Sequence, residues 1–170
     1  MTLKANPIKK AQEEVIEFLK QHPEKAIGQD PPARAVLFKG LKCRVTGSRL
    51  DIEMDMSKSL GGTEKGPSPG TVLRAADAGC LAIVIAMRAA VEGVKLDLLE
   101  VTAHSQSDDR GLLGIGDSPA GPLSADVVVK ISARASKRKL LAIVRWADEH
   151  SPVSDAIRRS IPSKTTVEIA

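Results

Sequence analysis

Two cysteines, Cys43 and Cys80, are the strongest nucleophiles that this sequence offers. Cys80 lies in a long apolar run, and Asp77 precedes it by three residues, so on a helix the two side chains share one face. A free cysteine in such a run often packs as a small hydrophobic residue, and a neighbouring carboxylate disfavours the thiolate. Two interpretations of Cys80 therefore stay open: a redox-active thiol, or an inert thiol packed in the core.

The other candidates for chemistry form weaker patterns. Three histidines are spread too widely for metal-ligand spacing, so we expect neither a metal nor another cofactor: His22, His104 and His150. Three acidic residues alternate along one predicted strand, which is typical of a solvated face: Asp51, Glu53 and Asp55. No glycine cluster matches a dinucleotide fingerprint or a phosphate-binding loop.

Composition limits the classes of partner. The chain has 170 residues and a net charge of +4, but its basic residues are spread out, and two Phe, one Trp and no Tyr provide no surface for base stacking. We therefore expect no nucleic-acid partner. The longest uncharged apolar stretch, residues 78–87, is too short to span a bilayer, so we expect no membrane partner. Two cysteines without a secretory signal favour a cytoplasmic protein.

The first half of the chain predicts a helix, a meander and a second helix. Asn6-Pro7 starts a helix that ends at His22-Pro23. Three strands are predicted at residues 34–38, 43–46 and 50–56, separated by glycine-containing turns. From Thr71 to about Val91 the sequence is apolar nearly all round, which is typical of a buried helix.

The second half predicts strands and shorter helices. Two strands are expected around residues 99–103 and 123–133, separated by a polar loop at 105–122. Ser136 caps a helix, Ser151-Pro152 starts another, and residues 165–169 form a final strand. Strands in runs with hairpin connections indicate an α+β fold. We expect one domain over residues 1–170, with a helix-and-loop extension (1–33) preceding the core (34–170).

Three segments together resemble the OsmC/Ohr family, the osmotically induced and organic hydroperoxide resistance proteins. They are GGTEKGPSPGTVLRAADAGCLAIVIAMRAA, DRGLLG and HSPVSDAI, and the resemblance covers roughly residues 34–170. It implies an intertwined homodimer in which antiparallel sheets wrap two long central helices, with the sites at the dimer interface.

The resemblance also implies an activity. Family members reduce organic hydroperoxides with a helix cysteine, which matches Cys80: the thiolate becomes a sulfenic acid, a second cysteine forms a disulfide with it, and an external dithiol reduces that disulfide. An arginine and a glutamate near the pocket support the thiolate. Candidates for the arginine lie on the N-terminal strands: Arg34, Arg44 and Arg49.

This sequence departs from the family pattern at three positions. Ser151 stands where the second, resolving cysteine is expected, and a serine there is an ordinary helix cap that forms no disulfide. Gly70 stands where the glutamate is expected. Asp77 occupies a position that is usually neutral or aromatic.

Three hypotheses follow. The first is a hydroperoxide reductase that works through Cys80 alone, with an external thiol, or Cys43 if it lies close enough, resolving the sulfenic acid. The second is a non-catalytic dimeric protein whose interface pocket binds an apolar small molecule. The third is a purely structural Cys80, which would react with thiol reagents only on unfolding.

Overall fold

The computed structural model describes residues 6–169 and confirms an α+β fold with antiparallel sheets. The described chain divides into two compact units, with the boundary between residues 75 and 76. Its helices and strands follow one another in this order: α1 (Pro7–Gln21), β1 (Arg34–Lys39), β2 (Lys42–Gly47), β3 (Leu50–Met54), α2 (Pro69–Val91), β4 (Leu96–Gln106), α3 (Asp109–Leu113), β5 (Ser124–Ala133), α4 (Lys137–Glu149) and α5 (Pro152–Arg158).

The first unit contains the predicted meander. Strands β1, β2 and β3 pair antiparallel in sequence order, and Cys43 lies opposite Leu37 on one side and Met54 on the other. The turns need left-handed backbone: Gly40 has φ +57° between β1 and β2, and Arg49 has φ +57° between β2 and β3. Alternating sequence and tight turns therefore suffice to specify this sheet.

Asp55 is buried, so the prediction that it shares a solvated face with Asp51 and Glu53 is wrong for this residue. Its side chain is 3% exposed, and it accepts hydrogen bonds from the Thr63 hydroxyl and from the backbone N–H groups of Met56, Thr63 and Lys65. These donors, the Thr63 hydroxyl first, lower the pKa of Asp55 to about 2. The carboxylate therefore ties the end of β3 to the glycine-rich loop that leads to α2.

We expect acid to weaken this tie. Because the pKa of folded Asp55 lies below its ordinary value of 3.8, the ionised group stabilises the fold above about pH 4, and this contribution is lost as the pH falls towards 2. Asp55→Asn should flatten that part of the pH dependence of stability, measured as the urea midpoint from pH 2 to 6. Glu53→Gln, on the exposed neighbour, is the control; an unchanged Asp55→Asn profile contradicts the assignment.

The second unit packs helices against a two-stranded sheet. Strands β4 and β5 pair antiparallel, with Val101 opposite Val129. The core joins α2 to α4, and partly buried side chains of both strands pack against it. Its buried members are Leu81, Ile85, Ala89, Ile143 and Ala147.

Two sequence predictions differ from the structure in this unit. The segment predicted as a polar loop at 105–122 contains the short helix α3. The final strand predicted at 165–169 is absent, since no residue described after Ala133 is in a strand. Residues 165–169 have no neighbouring strand within the described chain, so no ladder of backbone hydrogen bonds holds this exposed segment in a strand.

Helix α2 is apolar but not fully covered. Its buried residues include Asp77, Leu81 and Ile85, whereas Ile83 is 62% exposed and Met87 also faces outward. By length and composition α2 could cross a membrane, although the core helix of a protein outside the membrane can be as long and as apolar. The length of the uncharged stretch at 78–87 therefore does not exclude a membrane-spanning helix. Asp77, buried and hydrogen-bonded inside the second unit, favours a core helix.

Candidate functional site

One face of α2 carries the candidate nucleophile. Asp77, Cys80 and Leu81 have the i, i+3, i+4 spacing that places side chains on the same side of a helix. Asp77 and Leu81 are buried and Cys80 is partly buried. Because Leu81 belongs to the hydrophobic core, this face, with Cys80 on it, is directed into the second unit.

The junction between α4 and α5 supplies the opposing side chains. Ser151 occupies the N-cap position of α5, as predicted, but its hydroxyl makes no capping hydrogen bond. The Ser151 Oγ instead lies 3.3 Å from Cys80 Sγ, oriented as a donor to the sulfur. Ser151 is therefore not the ordinary cap that its sequence position predicts.

A second serine extends this contact to the carboxylate. Ser154 Oγ lies 3.0 Å from Ser151 Oγ and donates a hydrogen bond of 2.7 Å to Asp77 Oδ1. Ser151, Asp77 and Ser154 are 0%, 4% and 6% exposed. Asp77 and Cys80 of α2 are three residues apart and face two serines with the same spacing, Ser151 at the N-cap of α5 and Ser154 within it. We call these four side chains the Cys80–Asp77 network.

The network has a definite chemical character. A hydroxyl donor stabilises negative charge on a neighbouring sulfur, and Ser151 can supply one to Cys80. A serine oxygen forms no disulfide, so a sulfenic acid on Cys80 would need a thiol from elsewhere to resolve it. The arrangement supports a single reactive thiol that two serine hydroxyls connect to a buried carboxylate.

An open cavity of about 490 Å³ adjoins the network. Asp77, Leu81 and Ser154 line one side, and apolar residues of β5 and α4, among them Val127 and Val144, line another. Cys80 is not among the lining residues. A cavity of this size and mixed lining suits a small molecule that carries both apolar and polar groups.

The other predicted site residues lie in the first unit. Arg44, on β2, donates two hydrogen bonds to Asp51, at 2.7 and 2.6 Å; this pairing raises the pKa of Arg44 and lowers that of Asp51. Arg49 forms the β2–β3 turn, and Gly70 lies in the first turn of α2, where a Cβ would sit 3.6 Å from Arg74 Nη1. Their support of Cys80 remains a prediction, as does a resolving role for Cys43, which is a free thiol.

Sequence reasoning overlooked Ser154. The signal was its spacing of three from Ser151, which repeats the spacing of Asp77 and Cys80. Within residues 6–169, no group of three or more His, Cys, Asp or Glu side chains is arranged to hold a metal ion.

Comparisons with known proteins agree on the family and the fold. The profile of the OsmC-like protein family matches residues 62–166. An OsmC-like protein from Mycoplasma pneumoniae has a similar structure (TM-score 0.66, 14% identity, covering 78% of this chain and 89% of that one). An organic hydroperoxide resistance protein OsmC from Legionella pneumophila is also similar (TM-score 0.58, 21% identity, covering 78% of this chain and 91% of that one). A third similar structure is an organic hydroperoxide resistance protein from Elizabethkingia anophelis (TM-score 0.58, 18% identity, covering 78% of this chain and 90% of that one). No curated protein sequence gives a significant match.

Proposed function

This chain belongs to the OsmC-like protein family, and from that premise we propose that it reduces organic hydroperoxides through the thiol of Cys80 alone. The observation that supports a one-cysteine reaction is the contact between Cys80 Sγ and the buried hydroxyl of Ser151, at the position where the family resemblance leads one to expect a second thiol. Structural neighbours described as organic hydroperoxide resistance proteins support this substrate class. Two free cysteines suit the reducing conditions of the cytoplasm, where we place the protein.

The reaction has two stages. The Cys80 sulfur attacks one peroxide oxygen, an S–O bond forms as the O–O bond breaks, and the products are a sulfenic acid and an alcohol. An external thiol then displaces water from the sulfenic acid to form a mixed disulfide, and a second thiol of the same dithiol reductant releases Cys80. Arg44 or Arg49 is the proposed cationic support of the thiolate.

Cys80→Ser tests this proposal. Reduced protein mixed anaerobically with cumene hydroperoxide should form a stoichiometric sulfenic acid, which a trapping reagent and mass spectrometry locate at Cys80. Cys80→Ser should abolish hydroperoxide consumption, because no other residue in the network can be oxidised in this way. Cys43→Ser is the matched control and should retain the first stage. A Cys80 thiol that stays unmodified in the folded protein would overturn the proposal and favour the structural alternative.

The cavity favours a second candidate function, a non-catalytic binding protein for an apolar small molecule. Its volume of about 490 Å³ and its apolar side chains from β5 and α4 support this alternative. An apolar fluorescent probe should then bind to the Cys80→Ser protein as tightly as to the unmodified chain, and neither should consume hydroperoxide. Hydroperoxide turnover, or no probe binding, would argue against it.

We further propose a homodimer, because the described chain leaves large apolar side chains uncovered in each unit. Val36, Leu37 and Phe38 of β1 are exposed in the first unit, and Ile83 of α2 in the second. Exposed apolar surface on this scale is typical of an interaction site.

Ile83→Glu tests the dimer. A charge within the proposed interface should shift the protein from dimer to monomer in sedimentation velocity, since burying an unpaired carboxylate is costly. Lys20→Glu, an exposed change of charge on α1, is the control and should leave the dimer intact. A monomer before any substitution, or an intact Ile83→Glu dimer, contradicts the assignment of this face.

A further inference from the structure

The Cys80–Asp77 network contains three contacts, and the number of protons that can occupy them is limited. A thiol and each hydroxyl carry one proton, and an ionised carboxylate carries none. Three protons therefore serve the three contacts when Cys80 is a thiol and Asp77 is ionised. Each donor then points towards Asp77, which requires the Ser151 hydroxyl to turn from Cys80 Sγ, its acceptor in the structure, towards Ser154 Oγ. The same three protons serve them when Cys80 is a thiolate and Asp77 is protonated, each donor pointing towards the sulfur.

A third state is less favourable. If both Cys80 and Asp77 are ionised, two protons remain for three contacts, and one pair of buried acceptors faces each other without a proton. Buried polar groups without partners are costly. Since Ser151 and Ser154 are almost fully buried, bulk water does not readily take their place. The geometry therefore connects Cys80 and Asp77 through a chain of contacts that is complete only when one proton is present for each contact.

We propose that Ser151, Ser154 and Asp77 form a proton relay that holds the thiol proton of Cys80 while its sulfur attacks a hydroperoxide, and then returns that proton to the departing alkoxide. This inference rests on the proposed function. In the first half, the thiol proton of Cys80 moves to the Ser151 oxygen. At the same time, Ser151 passes its hydroxyl proton to Ser154, and Ser154 passes its hydroxyl proton to Asp77. In the second half, the transfers reverse, and the Ser151 hydroxyl protonates the alkoxide released by O–O cleavage.

The overall balance needs no other reactant. One thiol and one organic hydroperoxide give one sulfenic acid and one alcohol: sulfur is oxidised, the peroxide is reduced, and the thiol proton ends on the alcohol oxygen. Cys80 and Ser151 are the catalytic residues, because the sulfur attacks the peroxide and the Ser151 hydroxyl exchanges a proton with the reacting atoms. Ser154 and Asp77 are positioning residues, because they act on the reacting atoms only through Ser151.

Charged groups of three elements line the cavity beside Asp77 and belong to its electrostatic environment. They are Asp126 of β5, Arg145 and Asp148 of α4, and Arg158 of α5. Arg158 Nη1 donates a hydrogen bond of 2.9 Å to Asp148 Oδ1. The carboxylate and guanidinium of that pair offset one another, so Asp77 faces a cavity edge of mixed charge.

The test compares two reagents on the same thiol. Sulfenic acid formation with cumene hydroperoxide releases an alkoxide that needs a proton, whereas alkylation by iodoacetamide releases iodide, which needs none. Both reactions need the thiol proton to be removed, so Ser154→Ala should slow both. The hydroperoxide reaction also needs that proton returned to the alkoxide and should slow more than alkylation, by roughly a hundredfold, at the lower end of what general acid–base catalysis contributes. Asp77→Asn should do the same, because an amide cannot take up the proton.

Three further observations separate the relay from a structural role. Ser154→Thr, which keeps a hydroxyl, should restore the hydroperoxide reaction. The rate in mixtures of H₂O and D₂O should curve with deuterium content in the unmodified protein, because several protons move together, and should become linear in Ser154→Ala. Alkylation and hydroperoxide rates that fall equally in Ser154→Ala would overturn the relay and indicate a distorted site.

Failure of the relay differs from failure of the proposed function. An unmodified protein that forms no sulfenic acid at Cys80 would overturn both. A reactive unmodified protein with an equally reactive Ser154→Ala variant would overturn the relay alone.

Discussion

Replacing Ser151 with cysteine is expected to create a disulfide between Cys80 and the introduced thiol when the protein meets cumene hydroperoxide. Ser151 Oγ already lies 3.3 Å from Cys80 Sγ, and a disulfide needs sulfur atoms about 2.05 Å apart. A small side-chain rotation therefore closes the bond once Cys80 is a sulfenic acid, with loss of one water. If the proposed reductase activity is correct, the product is a two-cysteine form of it whose disulfide a dithiol reduces.

The disulfide is measured by non-reducing peptide mapping, in a Cys43→Ser background so that only two thiols are present. Ser154→Cys is the matched control: it lies on the same helix one turn further on, where its side chain contacts Asp77 and Ser151. We expect the disulfide to form within the chain and nearly completely in Ser151→Cys, and much less in Ser154→Cys. Persistent sulfenic acid in Ser151→Cys would show that the two side chains do not meet in solution.

The elements of the fold were largely predictable because each is specified by its local pattern. Residues 50–54 alternate between apolar and acidic side chains, and they form β3 opposite β2. Helix α4 begins after Ser136, whose hydroxyl accepts a hydrogen bond from the N–H of Lys139, as its sequence position predicts. Alternation and capping are properties of neighbouring residues, so a single sequence displays them.

Predictions failed where an element depends on a distant partner. Asp55 continues the alternation of β3, yet the loop at 56–65 folds back over it and supplies hydrogen-bond donors. Residues 165–169 alternate as well, but Ile169 is 94% exposed and no strand pairs with it in the described chain. Alternation predicts which side chains share a face and leaves open whether anything covers that face.

In the candidate site too, contacts between neighbours in sequence were predictable and contacts between distant residues were not. Asp77 and Cys80 could be paired from sequence because they are three residues apart on one helix. Ser151 could be linked to Cys80 only through a family resemblance, and Ser154 had no such guide. Its contact with Asp77 joins residues 77 positions apart, and packing between helices, which no local pattern records, decides such contacts.

Ile143→Ala is expected to lower the free energy of unfolding by about 2–5 kcal/mol, the usual cost of truncating a buried isoleucine and leaving a cavity. Ile143 is fully buried and packs in the cluster that joins α4 to Leu81 and Ile85 of α2. Urea unfolding followed by circular dichroism measures the loss. Ile169→Ala, the same truncation at a side chain that is 94% exposed, should change the free energy of unfolding by less than about 0.5 kcal/mol.

The same core fixes the distance between Cys80 and Ser151, which gives the truncation a second consequence. Leu81 follows Cys80 directly in α2, and α4 leads into the residue that contacts the sulfur. Loosening α2 against α4 should therefore slow disulfide formation when Ile143→Ala is combined with Ser151→Cys, while Ile169→Ala leaves it unchanged. A large loss of stability with an unchanged rate of disulfide formation would mean that hydrogen bonds of the network, rather than the apolar core, hold the two side chains together.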